Sequence, residues 1–534
     1  MEKRLIFAVV LSILILLVFQ RIHKPAPTVP AQPMGQISPE MQVTRQEPAQ
    51  KPVQETALTQ KKTPIEEKET IVQTEKQTIL FTDIGGGIKQ INLNEYKKDE
   101  EEFPLLMAQP GEGMFAIKSP LIPGLEKRKY ETIQGDDYLE FRFVEKGLIE
   151  ITKRFNYHNT KSYMDLSIKI KNLSPKNISF SYEVRGPLGL VRADKLMGRS
   201  FLESATMIDG KVMRKKAIKG TQENAGSISW TALKNRYFAV ILKPFTAPRS
   251  VVLSGTPDKG IEADFKSQNY LIRPGETIED DYLLYAGVQD INKLKVLGHD
   301  LEAIVNYGVF GGVSKTLLSV LRFFHKGTKS WGLAIILLTL LVNVILFPLT
   351  RKSVTSMHQM KKIQPHMQKL KDLHKDNPQK LNKEMMELYK QYNVNPLSGC
   401  LPLLLQMPVF IALYQGLICS VELKGASFLW IKDLARPDAV SLPFSLPVIG
   451  ASVNILPLLM VAMMAIQQKI SQGATAAAMT GDQASQQKMM MVIFPVMFGF
   501  LFYNMPAGLV LYWVTNTILM TAEQKIMGNM LDKD

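Results

Sequence analysis

Apolar and polar positions recur with two different periods along the chain. From about Thr78 to Val288 the period is two. Met164, Leu166, Ile168 and Ile170 fall on one face of a strand, while Tyr163, Asp165, Ser167, Lys169 and Lys171 fall on the other. Leu139, Phe141 and Phe143 repeat the alternation, as do Ile178, Phe180, Tyr182 and Val184. Asn172-Leu-Ser-Pro175, Gly255-Thr-Pro257 and Arg273-Pro-Gly275 punctuate the runs as turns. Many short strands of this kind predict one large β-sandwich over 76–290.

Beyond Asp290 the pattern turns helical. Leu317, Leu318, Val320, Leu321, Phe323 and Phe324 crowd together among Lys315, Arg322, His325, Lys326 and Lys329. Two readings of 291–330 stand open: an amphipathic helix lying at a membrane surface, or a helix packed on the sandwich. From Lys352 to Asn395, Val354, Met357, Met360, Ile363, Met367, Leu370 and Leu373 recur at three- and four-residue steps. Leu381, Met385, Leu388 and Tyr392 do the same. Asn377-Pro378 supplies a cap and a first-turn proline, and Pro365 should kink the first arm. This predicts a basic helical hairpin over 351–398.

Other stretches are apolar all round. Gly332 to Leu349 is eighteen residues without a charge, enough to span a bilayer. Inside it Asn343 follows Thr339 by one turn on the same face, about 12 Å along the axis from Arg351. An amide at that depth should face protein or trapped water. Further apolar segments at 399–420, 446–466, 489–503 and 507–523 complete a cluster of five spans, with a loop at 421–445, a Gln/Ala/Ser-rich loop at 467–488 and a tail at 524–534. At the other end, Lys3 and Arg4 precede an apolar run from Leu5 to Phe19; a signal peptide would look similar, but no small-x-small cleavage site follows, and 1–20 reads as an uncleaved anchor. Residues 21–75 carry eight prolines between Pro25 and Thr74 and read as a tether. The fold class predicted is thus a multi-domain membrane protein with an all-α polytopic core, a β-sandwich and a helical hairpin. It would have six spans and both termini inside.

Charge supports that topology. The formal net charge is +15, and from Arg351 to Lys390 ten Lys/Arg stand against four Asp/Glu. Nucleic acid could attract such a stretch. Between apolar spans it marks the cytoplasmic side more simply. Cys400 and Cys419 sit at opposite ends of one apolar segment and cannot pair with each other.

Candidate chemistry is sparse. The sandwich has no metal-spaced His/Cys cluster and no Gly-x-Ser-x-Gly. Gly85-Gly86-Gly87 reads as a turn or close backbone packing rather than a phosphate cradle. His158 reads as a surface strand residue without a partner. The clustered spans hold Thr339, Asn343, Gln406, Gln415, Asn454, Thr515 and Asn516 but no ionisable group in their middles. That argues against a proton relay or a charged pore. Each polar residue alone reads as interhelical glue; together they permit a moist, uncharged cavity. Flexible methionines, 27 in all, could wet varied apolar partners or simply fill gaps.

Three motifs carry a resemblance: Asn395-Pro-Leu-Ser-Gly-Cys-Leu-Pro-Leu-Leu-Leu-Gln-Met-Pro-Val-Phe410, Phe347-Pro-Leu-Thr350, and Pro506-Ala-Gly-Leu-Val-Leu-Tyr512. From about Trp331 onward the chain resembles the YidC family of membrane-protein insertases. Its order of anchor, large β-domain, five-span core and hairpin is similar to the Gram-negative form. Trp230-Thr-Ala-Leu-Lys-Asn-Arg-Tyr-Phe-Ala239 extends the likeness into the β-domain.

The resemblance implies an inner-membrane protein with a periplasmic β-domain and a groove open to cytoplasm and lipid. A nascent segment would enter the groove and leave sideways, with no covalent chemistry and no cofactor. By that likeness the groove is lined by Thr339, Asn343, Leu404, Gln406, Met407, Phe410, Trp513 and Asn516. Lys361, Lys362, Lys369 and Lys371 would make hairpin contacts. Nascent membrane proteins, the Sec translocon, a ribosome or targeting receptor and lipid would be the partners, with no sequence-specific nucleic acid. The family commonly has Arg where Asn343 stands and often Tyr where Trp513 stands, so polarity is implied but positive charge is not.

Two other classes compete. A small-molecule transporter would call for inverted repeats or an intramembrane charge, and the sequence displays neither. A membrane-anchored enzyme would place its chemistry in the β-domain.

Overall fold

A computed structural model describes residues 67–531, apart from 99–100, 109–112, 192–200, 217, 257–259, 375–376, 393, 395–400, 447–449, 473–492 and 494. The expected anchor at 1–20, most of the tether, residues 395–400 of the first motif, most of the 467–488 loop and the start of the 489–503 segment lie outside the described residues.

Nine antiparallel strands make the largest sheet. Their spatial order is Lys211–Lys215, Glu203–Ile208, Ile228–Lys234, Phe238–Pro244, Thr277–Val288, Tyr163–Asn172, Ile149–Tyr157, Tyr138–Glu145, Glu131–Gln134. A five-stranded sheet and a four-stranded sheet, the latter beginning at Glu69–Gln73, accompany it. That first strand falls inside the segment expected to be tether. Its polar composition hides it, and pairing with Gln77–Thr82 supplies the backbone hydrogen bonds. One core joins the sheets: Phe155, Leu166 and Ile168 from the nine strands, Val251, Leu253 and Phe265 from the five, and Phe81, Ile88 and Ile91 from the four. Met164, Leu166, Ile168 and Ile170 are all buried on one face, as the alternation requires.

The glycine run is close packing. Gly85 and Gly86 take left-handed φ values of 71° and 55°, and a Cβ on Gly87 would lie 2.2 Å from the Met114 carbonyl. The carbonyls of Gly85, Gly86 and Phe115 accept hydrogen bonds from the fully buried Lys153 Nζ at 2.5, 3.0 and 2.7 Å. Burial without a carboxylate holds that ammonium's pKa well below the usual lysine range. His158 departs from expectation. It lies just past the strand Ile149–Tyr157, with Nε2 3.3 Å from Asp165 Oδ2; the alternation gave no sign of a cross-strand partner seven residues on.

Part of the nine-stranded sheet is covered on its second face. The helix α1, Ile291–Leu297, starts at Asp290, whose carboxylate accepts from the Asn292 and Lys293 amides. Leu294, Leu301 and Ile304 pack there against Trp230, Ile241, Leu283 and Tyr285. The helix α2, Gly311–Thr328, belongs elsewhere: its Leu318 and Leu321 join the helical core beside Leu413 and Leu417. The sheet-packed reading of 291–330 therefore holds for α1 alone. α1 packs on the sheet, while α2 packs on helices and leaves Phe323 71% exposed.

The helical part continues with α3, Trp331–Lys362; α4, Gln364–Leu373; α5, Pro378–Gln391; α6, Leu401–Ile418; α7, Ile455–Gln472; and α8, Ala507–Leu531. Among the described residues α3 is the one helix long and apolar enough to cross a membrane. It runs unbroken through Pro348, so the expected boundary at 350 is not a helix end. Thirty-two residues make about 48 Å, well past a hydrocarbon core of about 30 Å. The break comes at Ile363, just ahead of Pro365. Asn377 caps α5, its Oδ1 accepting from the Lys380 amide at 3.0 Å. Ile363, Leu388 and Val394 form the buried seam between α4 and α5, whereas Leu373 and Tyr392 are exposed, so the seam is shorter than the periodicity implied. The apolar segment expected to span from 446 begins instead as a hairpin, Val440–Leu446 with Gly450–Val453. α7 starts only at Ile455, where the Asp438 carboxylate accepts from the Leu456 amide at 2.8 Å.

Candidate functional site

Along the first half of α3 the buried positions are Gly332, Ala334, Ile335, Leu338, Thr339, Val342 and Asn343, while Leu340, Val344 and Ile345 are exposed. That 3.6-residue stripe turns the two polar residues inward. Thr339 Oγ1 donates to the Ile335 carbonyl at 2.7 Å, settling a hydroxyl within its own helix. Asn343 Nδ2 donates both hydrogens, to Thr339 O at 2.8 Å and to Asn516 Oδ1 on α8 at 2.9 Å. Asn516 Nδ2 lies 3.5 Å from Met520 Sδ. Thr517 and Thr521 donate back to the Trp513 and Thr517 carbonyls. The site is thus a short polar ladder of neutral groups between α3 and α8. Neutral groups can be buried there without a counter-ion.

The remaining expected residues form neighbouring sets. Gln406 is buried and its amide donates to the Tyr512 hydroxyl, a partner that the sequence reading did not single out. Phe410 stands edge-on to Trp513, with ring centroids 4.9 Å apart and planes at 87°. Phe502 and Phe498 lie 5.3 and 5.5 Å from the same indole. Leu404 is half-buried and Met407 is 38% exposed. Thr339, Asn343 and Asn516 are therefore joined directly, Trp513 and Phe410 through their rings, and Gln406 through Tyr512. Leu404 and Met407 make no polar link. Asn454 is a loop tie rather than a lining group: its Oδ1 accepts from the Ala439 amide at 2.9 Å and its Nδ2 donates to Tyr503 O at 2.7 Å. Gln415 lies against Gly308, with its Oε1 buried and unpaired. On the hairpin Lys361, Lys362 and Lys369 are exposed and Lys371 half-buried. His374 Nε2 meets Glu384 Oε2 at 2.8 Å and clasps α4 to α5.

Sequence similarity decides the family. A family model described as 60Kd inner membrane protein matches residues 323–534, and one described as YidC periplasmic domain matches 70–320. The membrane protein insertase YidC of Geotalea daltonii is 30% identical over 99% of this chain and 100% of its own length. That of Geobacter sulfurreducens is 32% identical over 98% of each. The chain belongs to the YidC family. A third YidC insertase, of Pelobacter propionicus, is 32% identical over the full length of both chains. A crystal structure of an active YidC insertase with its first transmembrane domain resolved covers 85% of this chain and 91% of its own, at 18% identity and a TM-score of 0.33. YidC proteins are inner-membrane insertases, and their activity is not an enzymatic one. The β-rich part described above is the YidC periplasmic domain, and the helices follow it as the C-terminal part.

The fold also joins these two parts. Arg236, in the motif that linked the β-domain to YidC, is buried at 2% exposure. Its Nε donates to the Ile418 carbonyl at the end of α6 at 2.5 Å, and its Nη2 donates to Ala435 O at 3.2 Å. Its guanidinium also lies 4.7 Å from the Tyr237 ring centroid. Arg322 on α2 reaches back to Asp290, just past the last strand of the β-domain, at 3.8 Å.

Proposed function

We propose that this chain is a membrane-protein insertase and chaperone that accepts a nascent hydrophobic segment in a polar, uncharged intramembrane groove and releases it sideways into lipid. It works alone or beside the Sec translocon, with a ribosome or targeting receptor delivering clients to the hairpin. Six spans, a periplasmic sandwich and cytoplasmic termini complete the reading. The observation that carries it is the Asn343–Asn516 hydrogen bond between α3 and α8. A hydrogen bond of this kind inside a membrane contributes only about 0.6 to 1.7 kcal/mol. An unsatisfied polar group in hydrocarbon costs about 2 to 7 kcal/mol. The pair can therefore open and lend its amides to a polar stretch of client at little cost, shortening the dry path. Burial of the client's own apolar segment drives release.

Photocrosslinking from position 343 tests this. A stalled nascent membrane protein should form an adduct with a crosslinker at 343, and at 516 and 513 on the facing helix. Silence at all three positions, with the variants correctly inserted, removes the groove.

A further inference from the structure

A two-residue turn stands at the end of α3. Phe428 and Ile431 exchange both backbone hydrogen bonds at 2.9 Å, which leaves Leu429 and Trp430 at the tip. Leu429 has a φ of 52°, at a turn position that ordinarily selects Gly, Asn or Asp. A leucine there keeps an unfavourable backbone conformation and gains no burial, because it is 75% exposed. Trp430 beside it is 42% exposed, and its indole N–H reaches Asp438 Oδ2 at 3.3 Å. Lys432 follows, exposed.

The height of this tip is set by its base. Phe428 lies so close over Gly332 that a Cβ there would fall 2.1 Å from the ring. Gly332 is the second residue of α3, next to Trp331, whose ring stacks on His325 at 3.8 Å. Trp430 is two residues from Phe428 and Trp331 is next to Gly332, so a tryptophan lies within two residues of each side of the contact at the start of the membrane-length helix. Indole rings collect at that level of a bilayer, with the apolar body toward lipid and the N–H toward polar groups. Lysine flanks such an anchor with its charge toward the headgroups.

We propose that Leu429 and Trp430 form an apolar tip that sinks into the lipid interface at the N-terminal end of α3. The occupant of this exposed patch is the bilayer itself. The tip ties the 421–445 loop to the membrane surface and fixes the height of α3 through the Phe428–Gly332 contact. The inference rests on α3 crossing the bilayer, and does not depend on the groove.

The test compares the full-length protein with Trp430→Phe in vesicles of phosphatidylcholine and phosphatidylglycerol, with and without lipids brominated at the upper acyl carbons. The difference between the two emission spectra isolates Trp430. Brominated lipid should remove most of that difference signal, and aqueous iodide should leave most of it. A difference signal lost to iodide and untouched by bromine overturns the proposal, because the tip is then in water. Shielding from both quenchers also overturns it, because protein then covers the tip. The emission remaining in Trp430→Phe, which includes Trp331 and Trp513, is an internal control for the spanning reading: if brominated lipid fails to quench that as well, the α3 assignment falls first. Leu429→Gly relaxes the turn without unfolding it and should weaken the bromine quenching of Trp430; unchanged quenching denies Leu429 its share in the tip.

Discussion

Arg236 Nε lies 2.5 Å from the carbonyl oxygen of Ile418, so a β-domain side chain caps the last turn of α6. The terminal carbonyls of a helix carry partial negative charge and lack intrahelical donors, and a buried guanidinium answers both needs. The same cation reaches Ala435 O at 3.2 Å in the loop that follows. Replacing Arg236 with Met leaves these two carbonyls unpaired, at about 1 to 3 kcal/mol each. Thermal unfolding of Arg236→Met in detergent should show the helical part melting earlier while the sheet signal holds. Coincident, unshifted transitions would show that the cap contributes nothing.

Asn343→Leu should lower insertion of membrane-protein reporters, because it removes the donor that links α3 to α8 and dries the site. Asn343→Arg should be tolerated and should favour reporters with acidic translocated tails. A mid-membrane Arg costs about 2.5 to 3.5 kcal/mol on the insertion scale, and an acidic client repays part of that. Protease protection of reporters differing only in tail charge measures both effects. Normal insertion of every reporter by Asn343→Leu, at equal expression, reduces Asn343 to helix glue.

The sandwich carries a titrating group of its own. Asp264 is buried, with Oδ1 unpaired, and burial pushes its carboxyl up to about 6. An acid with a raised folded-state pKa binds more protons when folded. Its stabilising effect is therefore complete below the unfolded value near 4 and is lost as pH rises through about 6. The full effect is on the order of 3 kcal/mol at most. Asp264→Asn should flatten the fall in melting temperature between pH 4 and 6.5 and raise it at pH 7.5. An unchanged pH profile in the variant assigns the dependence elsewhere.

The seam of the hairpin predicts a fourth phenotype. Leu370 packs with Met367 against Ile363 and Leu388. Leu370→Pro breaks α4 at that point, at a cost of about 3 kcal/mol or more. Insertion should fall while the spans remain assembled. Full insertion by a variant whose hairpin is shown by proteolysis to be open rejects the hairpin as a receiving element.

Charge bias along the chain predicts which side each loop occupies. In a background with Cys400 and Cys419 replaced by Ser, an impermeant maleimide on intact spheroplasts should modify a cysteine placed at 432 and spare one at 371. The opposite labelling pattern inverts the topology and removes the tip from its predicted leaflet.

Much of this molecule is written in local pattern. The period-two alternation of Met164, Leu166, Ile168 and Ile170 names a buried face because a strand has only two faces. The uncharged run from Gly332 to Leu349 names a membrane-length helix because eighteen residues at 1.5 Å each reach about 27 Å, close to the hydrocarbon thickness, and Asn377-Pro378 names a helix start. The polar residues of the spans could be listed from the sequence, and the family motifs grouped them. Their partners could not be read there. Asn343 meets Asn516 across 173 positions, Gln406 meets Tyr512 across 106, and Arg236 meets Ile418 across 182. Such pairings depend on how helices and sheet settle against one another, and no local periodicity encodes that. The same holds where local reading erred. An apolar stretch near 446 reads as a span, yet strand pairing and the Asp438 cap set the start of α7 at Ile455. Composition and period determined which segments are apolar and with what repeat; long-range hydrogen bonding and packing decided which polar groups those segments bring together and where each helix begins.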